Sequence, residues 1–216
     1  MSGQEPHLEE SPQGLALVDG DQVLRADFTK MLARLRPTNL SRELLVRAAR
    51  VRGEDGRLRA VDATAGLGED SLLLAAAGFE VTLFERDPLV AALTRDGLRR
   101  ARDHETLAPV VARMHLVEGD SIRGMAQLAE RPHVVLLDPM FPARRSHAAT
   151  KKKLQLIRQL EKPCEDEEEL LLAAREACLR KVVIKRPLKG PHLGGVKPSH
   201  SLRGKVVRYD VVGGLA

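Results

Sequence analysis

Aromatic residues are scarce in this 216-residue chain: four Phe, one Tyr and no Trp. A surface that grips single-stranded nucleic acid by stacking several bases is therefore hard to build from it. Cysteine is nearly absent too. Cys164 and Cys178 have no CxxC spacing, and the seven histidines are scattered with no HExxH pattern. That argues against a zinc site or a disulfide framework and fits a reducing cytoplasm. No stretch approaches the roughly 20 apolar residues that span a bilayer. The polar start, with Pro6 and Pro12, lacks the apolar core of a signal peptide.

What is present is a 43% hydrophobic fraction, enough for one sizeable core, and a net charge of +5. This basic bias is moderate and informs only where it clusters. Residues 1–14 read as a disordered tail and 15–52 as a small N-terminal extension. In that extension Leu15–Val18 and Gln22–Arg25 suit a hairpin across Asp19-Gly20, and Ser41–Val51 has helical spacing. From residue 53 to 216 strand and helix alternate. Strands are expected at 58–62, 80–85, 114–118, 133–138, 181–185 and 205–212. Helices are expected at 70–77, 88–102, 122–129, 151–160 and 167–179. Apolar strands separated by helices imply a mostly parallel, doubly wound α/β sheet.

Such sheets bind ligands beyond the carboxyl ends of their strands, and the informative residues all fall at those ends. Asp62, Thr64, Gly66 and Gly68 lie between the first strand and its helix, where glycines admit a ligand and a helix start offers free N–H groups. Glu85 ends the second strand, nineteen residues after Gly66, near the spacing at which an acid binds ribose hydroxyls. Asp120 and Ser121 follow the third strand and can accept from an adenine amino group. A dinucleotide fingerprint would require a third glycine where Ser71 stands, and the acidic Asp62 opens the loop as in methyltransferases. The balance favours S-adenosylmethionine over NAD.

The fourth strand ends in Asp138-Pro139-Met140-Phe141-Pro142. An exocyclic amine is a poor nucleophile because its lone pair is delocalised into the ring. The Asp138 carboxylate and the Pro139 carbonyl are suited to accept from its two N–H bonds and free that lone pair, while Phe141 stacks on an extruded base. Neither a metal nor a covalent enzyme intermediate is required. Arg144, Arg145, Lys151, Lys152 and Lys153 follow this turn, and Lys185 and Arg186 follow the next strand. They are expected to contact a phosphate backbone.

Asp62-Ala63-Thr64-Ala65-Gly66-Leu67-Gly68, Glu85-Arg86, Leu137-Asp138-Pro139-Met140-Phe141-Pro142 and Val183-Ile184-Lys185-Arg186-Pro187 together resemble the bacterial small-subunit ribosomal RNA guanine-N2 methyltransferases of the J type. The resemblance covers about Val61 to Val211. It implies a class I methyltransferase fold with a Rossmann-like, mostly parallel seven-stranded sheet and helices on both faces. It also implies S-adenosylmethionine as cofactor and a guanine of small-subunit (16S) ribosomal RNA as substrate, free or in the subunit. Cofactor contacts carried over from the family fall at Glu69-Asp70, Glu85-Arg86, Asp120-Ser121 and Asp138. Two departures stand out. Glu69 occupies a position that is often basic in the family, and the segment after Asp27-Phe28 has no glycines. The residues alone leave open another amino group as target, in DNA adenine or protein, and an RNA-binding protein without turnover.

Overall fold

The computed structural model describes residues 6–54, 56–139 and 166–215. The expected helix at 151–160 and the expected site residues Phe141, Arg144, Arg145, Lys151 and Lys152 lie outside these residues.

Four parallel strands form the centre: β4 (Arg59–Asp62), β5 (Glu80–Glu85), β6 (Met114–Glu118) and β7 (Val134–Leu137). They continue into β8 (Lys181–Pro187), β9 (His200–Arg203) and β10 (Val207–Gly213). The sheet order is β6-β5-β4-β7-β8-β10-β9, with only β10 antiparallel to its neighbours. The order reverses direction between β4 and β7, so a crevice opens at the carboxyl ends of those two strands.

Side-chain alternation splits the core into two layers. Ala60, Val134, Leu136, Val183 and Val211 face one layer; Val61, Val135, Leu137, Val182, Ile184 and Val212 face the other. Most residues of the inner strands β4, β7 and β8 thus bury apolar surface on one side or the other, which explains why their runs are largely apolar. The first face is covered by α3 (Leu44–Ala49), α4 (Glu69–Ala76), α5 (Pro88–Ala101) and α6 (Ala108–Val111). The second is covered by α7 (Ser121–Ala126) and the helix Glu167–Ala177, here α8. Between the N-terminal strands and α3 lie a 3-10 turn at Phe28–Met31 and the short helices α1 (Leu32–Leu35) and α2 (Pro37–Leu40).

The N-terminal hairpin is extended by a third strand. β1 (His7–Glu9), β2 (Ala16–Asp19) and β3 (Gln22–Leu24) form their own antiparallel sheet, with Leu8 opposite Leu17. The expectation of disorder up to residue 14 is corrected here, because β1 is fixed by pairing with β2 rather than by its own polar sequence. Leu17, Leu24 and Ala26 pack against Leu67, Val90 and Leu93, so this small sheet braces the glycine loop and the start of α5. Leu15 N–H donates to Asp96 Oδ2 at 3.0 Å and ties the same segment to α5.

Candidate active site

The loop after β4 bends twice through the left-handed region, at Gly66 (φ 53°) and Gly68 (φ 76°), before α4 begins at Glu69. A side chain would be strained at both positions. Asp62 braces this bend from inside. Its carboxylate accepts from the Ser71 hydroxyl at 2.6 Å and from Thr64 N–H at 3.3 Å. Only 2% of Asp62 is exposed. Burial, helped by Asp70 and Asp138 and opposed by the Ser71 bond, pushes its carboxyl up to about 7. Thr94 of α5, which was not singled out in the sequence, donates to the Gly66 carbonyl at 2.8 Å and holds the loop from outside.

Glu85 is the second brace. Its two oxygens accept from Gly66 N–H at 2.9 Å and from Asp87 N–H at 2.8 Å. Burial holds its carboxyl above the ordinary range, and those two N–H bonds pull it back. Asp120 caps α7 by accepting from Arg123 N–H at 3.0 Å. Gly119 before it has open space around its α-carbon, which leaves room for a ligand against the backbone.

The fourth strand tip closes the arrangement. The amide N–H of Asp138 donates to Thr64 Oγ1 at 2.6 Å, although the two residues are 74 apart in sequence. The Asp138 carboxylate lies 2.8 Å from Lys185 Nζ, which also lies 2.6 Å from Asp70 Oδ2. Burial raises the Asp138 carboxyl, and the Lys185 ammonium opposes that rise. Lys185 is itself desolvated, yet the two carboxylates hold it firmly protonated. Tyr209, paired with Lys185 across β10 and β8, is buried beside this trio.

An open crevice is lined by Thr64, Glu85, Arg86, Asp120, Ser121 and Asp138, with Pro139 beside them. Gly66, Gly68, Glu69, Asp70 and Asp62 do not line it; they shape its wall. Phe84, Ile122, Asp166 and Leu170 line it as well and escaped the sequence reading. Phe84 and Ile122 adjoin motif residues, so a wider window around each strand end would have found them. Asp166 and Leu170 come from the start of α8 and enter only through tertiary packing.

Two expectations are corrected. Lys185 does not offer its charge to a phosphate backbone: it is engaged by Asp70 and Asp138 inside the site. Arg186 is fully buried, with Nε donating to the Pro191 carbonyl at 3.0 Å and Nη1 3.4 Å from Glu167 Oε1. Alternation along β8 turned one inward to the strand tips and the other into the opposite layer.

The donor set fits S-adenosylmethionine. Carboxylates at three strand ends suit ribose hydroxyls, amino groups and a sulfonium cation, and Phe84, Ile122 and Leu170 suit the faces of an adenine. This sheet order, with an acid-lined crevice at its reversal, defines a class I methyltransferase. Residues 3–213 match the family described as "Putative SAM-dependent methyltransferase". A ribosomal RNA small subunit methyltransferase J from Alkalilimnicola ehrlichii is 47% identical, covering 97% of this chain and 83% of its own. One of the same name from Pseudomonas fluorescens is 43% identical over 94% of this chain and 81% of its own. The crystal structure of a SAM-dependent methyltransferase from Neisseria gonorrhoeae superposes with a TM-score of 0.77 at 32% identity, covering 99% of this chain and 85% of that one. The chain belongs to the ribosomal RNA small subunit methyltransferase J family, and its methyl donor is S-adenosylmethionine.

Proposed function

We propose that the protein methylates the exocyclic N2 amine of a guanine in small-subunit (16S) ribosomal RNA, as free RNA or within the subunit. The single observation that carries this reading is the Thr64–Asp138 bond, which joins the glycine loop to the Asp-Pro turn at one crevice. The names of the relatives supply the substrate class.

When bound, S-adenosylmethionine supplies an electrophilic methyl group on a sulfonium centre. Glu85 and Asp120 hold hydroxyl and amino donors at one end of the crevice. Asp138 and the Pro139 carbonyl accept from the two N–H bonds of the guanine amine, which localises its lone pair. Asp138 then takes the proton released as the nitrogen is alkylated. Lys185 opposes the rise that burial imposes on the Asp138 carboxyl and so favours the ionised form that both tasks use. Pro139 stiffens the turn, so the acceptors are oriented before the base arrives. Phe141, two residues further on in the sequence, is the side chain proposed to stack on the base. The phosphate contacts next to the site fall to Arg144, Arg145, Lys151 and Lys152. No described helix is long and apolar enough to cross a membrane. A ribosomal substrate supports a cytoplasmic site of action.

The test is mass spectrometry of nucleosides from small-subunit ribosomal RNA of a deletion strain. One N2-methylguanosine should be lost, restored by the wild-type gene and not by Asp138→Ala. Unchanged N2-methylguanosine overturns the proposal. Transfer of labelled methyl to DNA adenine or to protein instead would reassign the target, and RNA binding without any transfer would make the chain a binding protein.

A further inference from the structure

A second cluster of positive charge lies away from the crevice. Arg47, Arg50, Arg52, Arg180, Lys181 and His200 line one open hollow where the end of α3 meets the starts of β8 and β9. All but Lys181 are exposed. Arg180 is paired with Glu54, whereas Arg47, Arg50 and Arg52 form no ion pair among the described residues. Three guanidinium groups that line one hollow with no carboxylate partner among the described residues repel each other and favour an anion between them.

A helix C-terminus would normally disfavour that anion, because its last carbonyls carry partial negative charge. Here the carbonyls are already engaged. Lys181 Nζ donates to Arg50 O at 2.9 Å and to Ala48 O at 3.4 Å. Desolvation and the nearby Arg52 hold the Lys181 ammonium below its usual range, as expected of a cation set among cations. The end of α3 is thus neutralised from within, and the arginines around it face outward. Among the residues lining the hollow, Val51 is the one apolar side chain and His200 the one ring, with no Phe, Tyr or Trp. Its excess of cationic side chains suits it to phosphates.

Lys181 begins β8 and Lys185 lies four residues on, so the hollow sits about 13 Å along the strand from the trio of Asp70, Asp138 and Lys185. We propose that this basic hollow is an RNA-backbone anchor, gripping phosphates of the substrate outside the segment that enters the crevice. The inference rests on the RNA substrate proposed above. It gives the enzyme a sequence-independent hold on structured RNA that the crevice, whose charged lining is acidic apart from Arg86, cannot supply. Affinity and base selection are thereby divided between two regions of the surface.

The experiment is the salt dependence of binding to small-subunit ribosomal RNA, and to an unrelated RNA of equal length, for wild type and for the combined Arg47→Gln, Arg50→Gln and Arg52→Gln variant. The slope of log affinity against log salt should fall by roughly 2–3, on both RNAs alike. At low salt, affinity should drop about tenfold or more, with KM for RNA raised, kcat at saturating RNA unchanged and S-adenosylhomocysteine binding unchanged. Arg52→Gln alone, outside α3, should lower the slope by about 1 and guards against a folding defect in the combined variant. Wild-type slope and affinity in both variants overturn the anchor. The slope is read by binding alone, so a wild-type enzyme that binds RNA through this surface yet methylates no guanine would overturn the function proposed above and leave the anchor standing.

Discussion

Thr64 Oγ1 accepts the Asp138 amide N–H at 2.6 Å, and this bond fixes the tip of β7 against the loop of β4. The two strands are neighbours, pairing Ala60 with Val134 and Asp62 with Leu136. The bond carries that pairing one step beyond the sheet, where a hydroxyl replaces the missing backbone acceptor. The geometry of donor loop and acceptor turn is therefore set by one side chain.

Thr64→Val keeps the shape and removes the acceptor. Leaving the Asp138 N–H unpaired should cost about 1–3 kcal/mol of stability. A displaced turn should lower kcat by about tenfold to a hundredfold. Thr64→Ser should restore most of both. Urea denaturation and single-turnover methyl transfer read the two effects.

Lys185→Gln removes the cation shared by Asp70 and Asp138. Lys185 opposes the upward push of burial on Asp138, so its loss lets that carboxyl rise further. The form that accepts a proton is then populated only at higher pH. The acidic limb of the kcat–pH profile should move upward in the variant, while the salt slope of RNA binding should match wild type. A phosphate-contacting lysine would give the reverse pattern.

Asp62→Asn tests the buried brace through pH. The Asp62 carboxyl lies at about 7 in the folded protein against 3.8 without its surroundings. The native state therefore holds this proton more tightly than the unfolded chain does. Its contribution to stability is complete below about pH 4 and is lost as pH rises to about 7. The Asn variant cannot titrate, so this decline, on the order of a few kcal/mol, should vanish from its stability–pH curve. Urea midpoints across pH 4–8, with the m-value checked for constancy, measure it.

Gly97→Ala sets two effects against each other. Alanine gains about 1 kcal/mol over glycine within a helix. At this position, however, its Cβ would lie 2.7 Å from Ala26 Cβ and 3.1 Å from the Ala26 carbonyl oxygen. Overpacking of that kind costs about 1–3 kcal/mol, so the variant should be less stable than wild type. Phe28, which the same Cβ would reach at 3.3 Å, also packs near Gly68. Calorimetry should therefore show weaker S-adenosylhomocysteine binding.

The central strands were legible because their apolar runs are bounded by glycine, proline or charge. β5 and β6 have the expected limits, β4 starts one residue later than expected, and β7 is one residue shorter at each end. β1 and β9 were not legible. His7–Glu9 and His200–Arg203 carry few strand-forming residues and are strands only because β2 and β10 offer them an edge. Helix α3 is shorter than its periodicity suggested, since Arg50 leaves the helical region and its carbonyl is taken by Lys181.

By itself, the sequence determined the alternation of strands and helices, the glycine loop, the acids at the strand ends and the resemblance that names a cofactor and a substrate. These are local matters of side-chain period, backbone freedom and charge. The tertiary structure alone decided that Thr64 meets Asp138, that Lys185 turns its charge inward to two carboxylates, and that Arg186 is buried. Strand order and the face each residue takes depend on pairings between segments far apart in the chain. A charge written in one dimension does not say whether it will meet solvent or another charge.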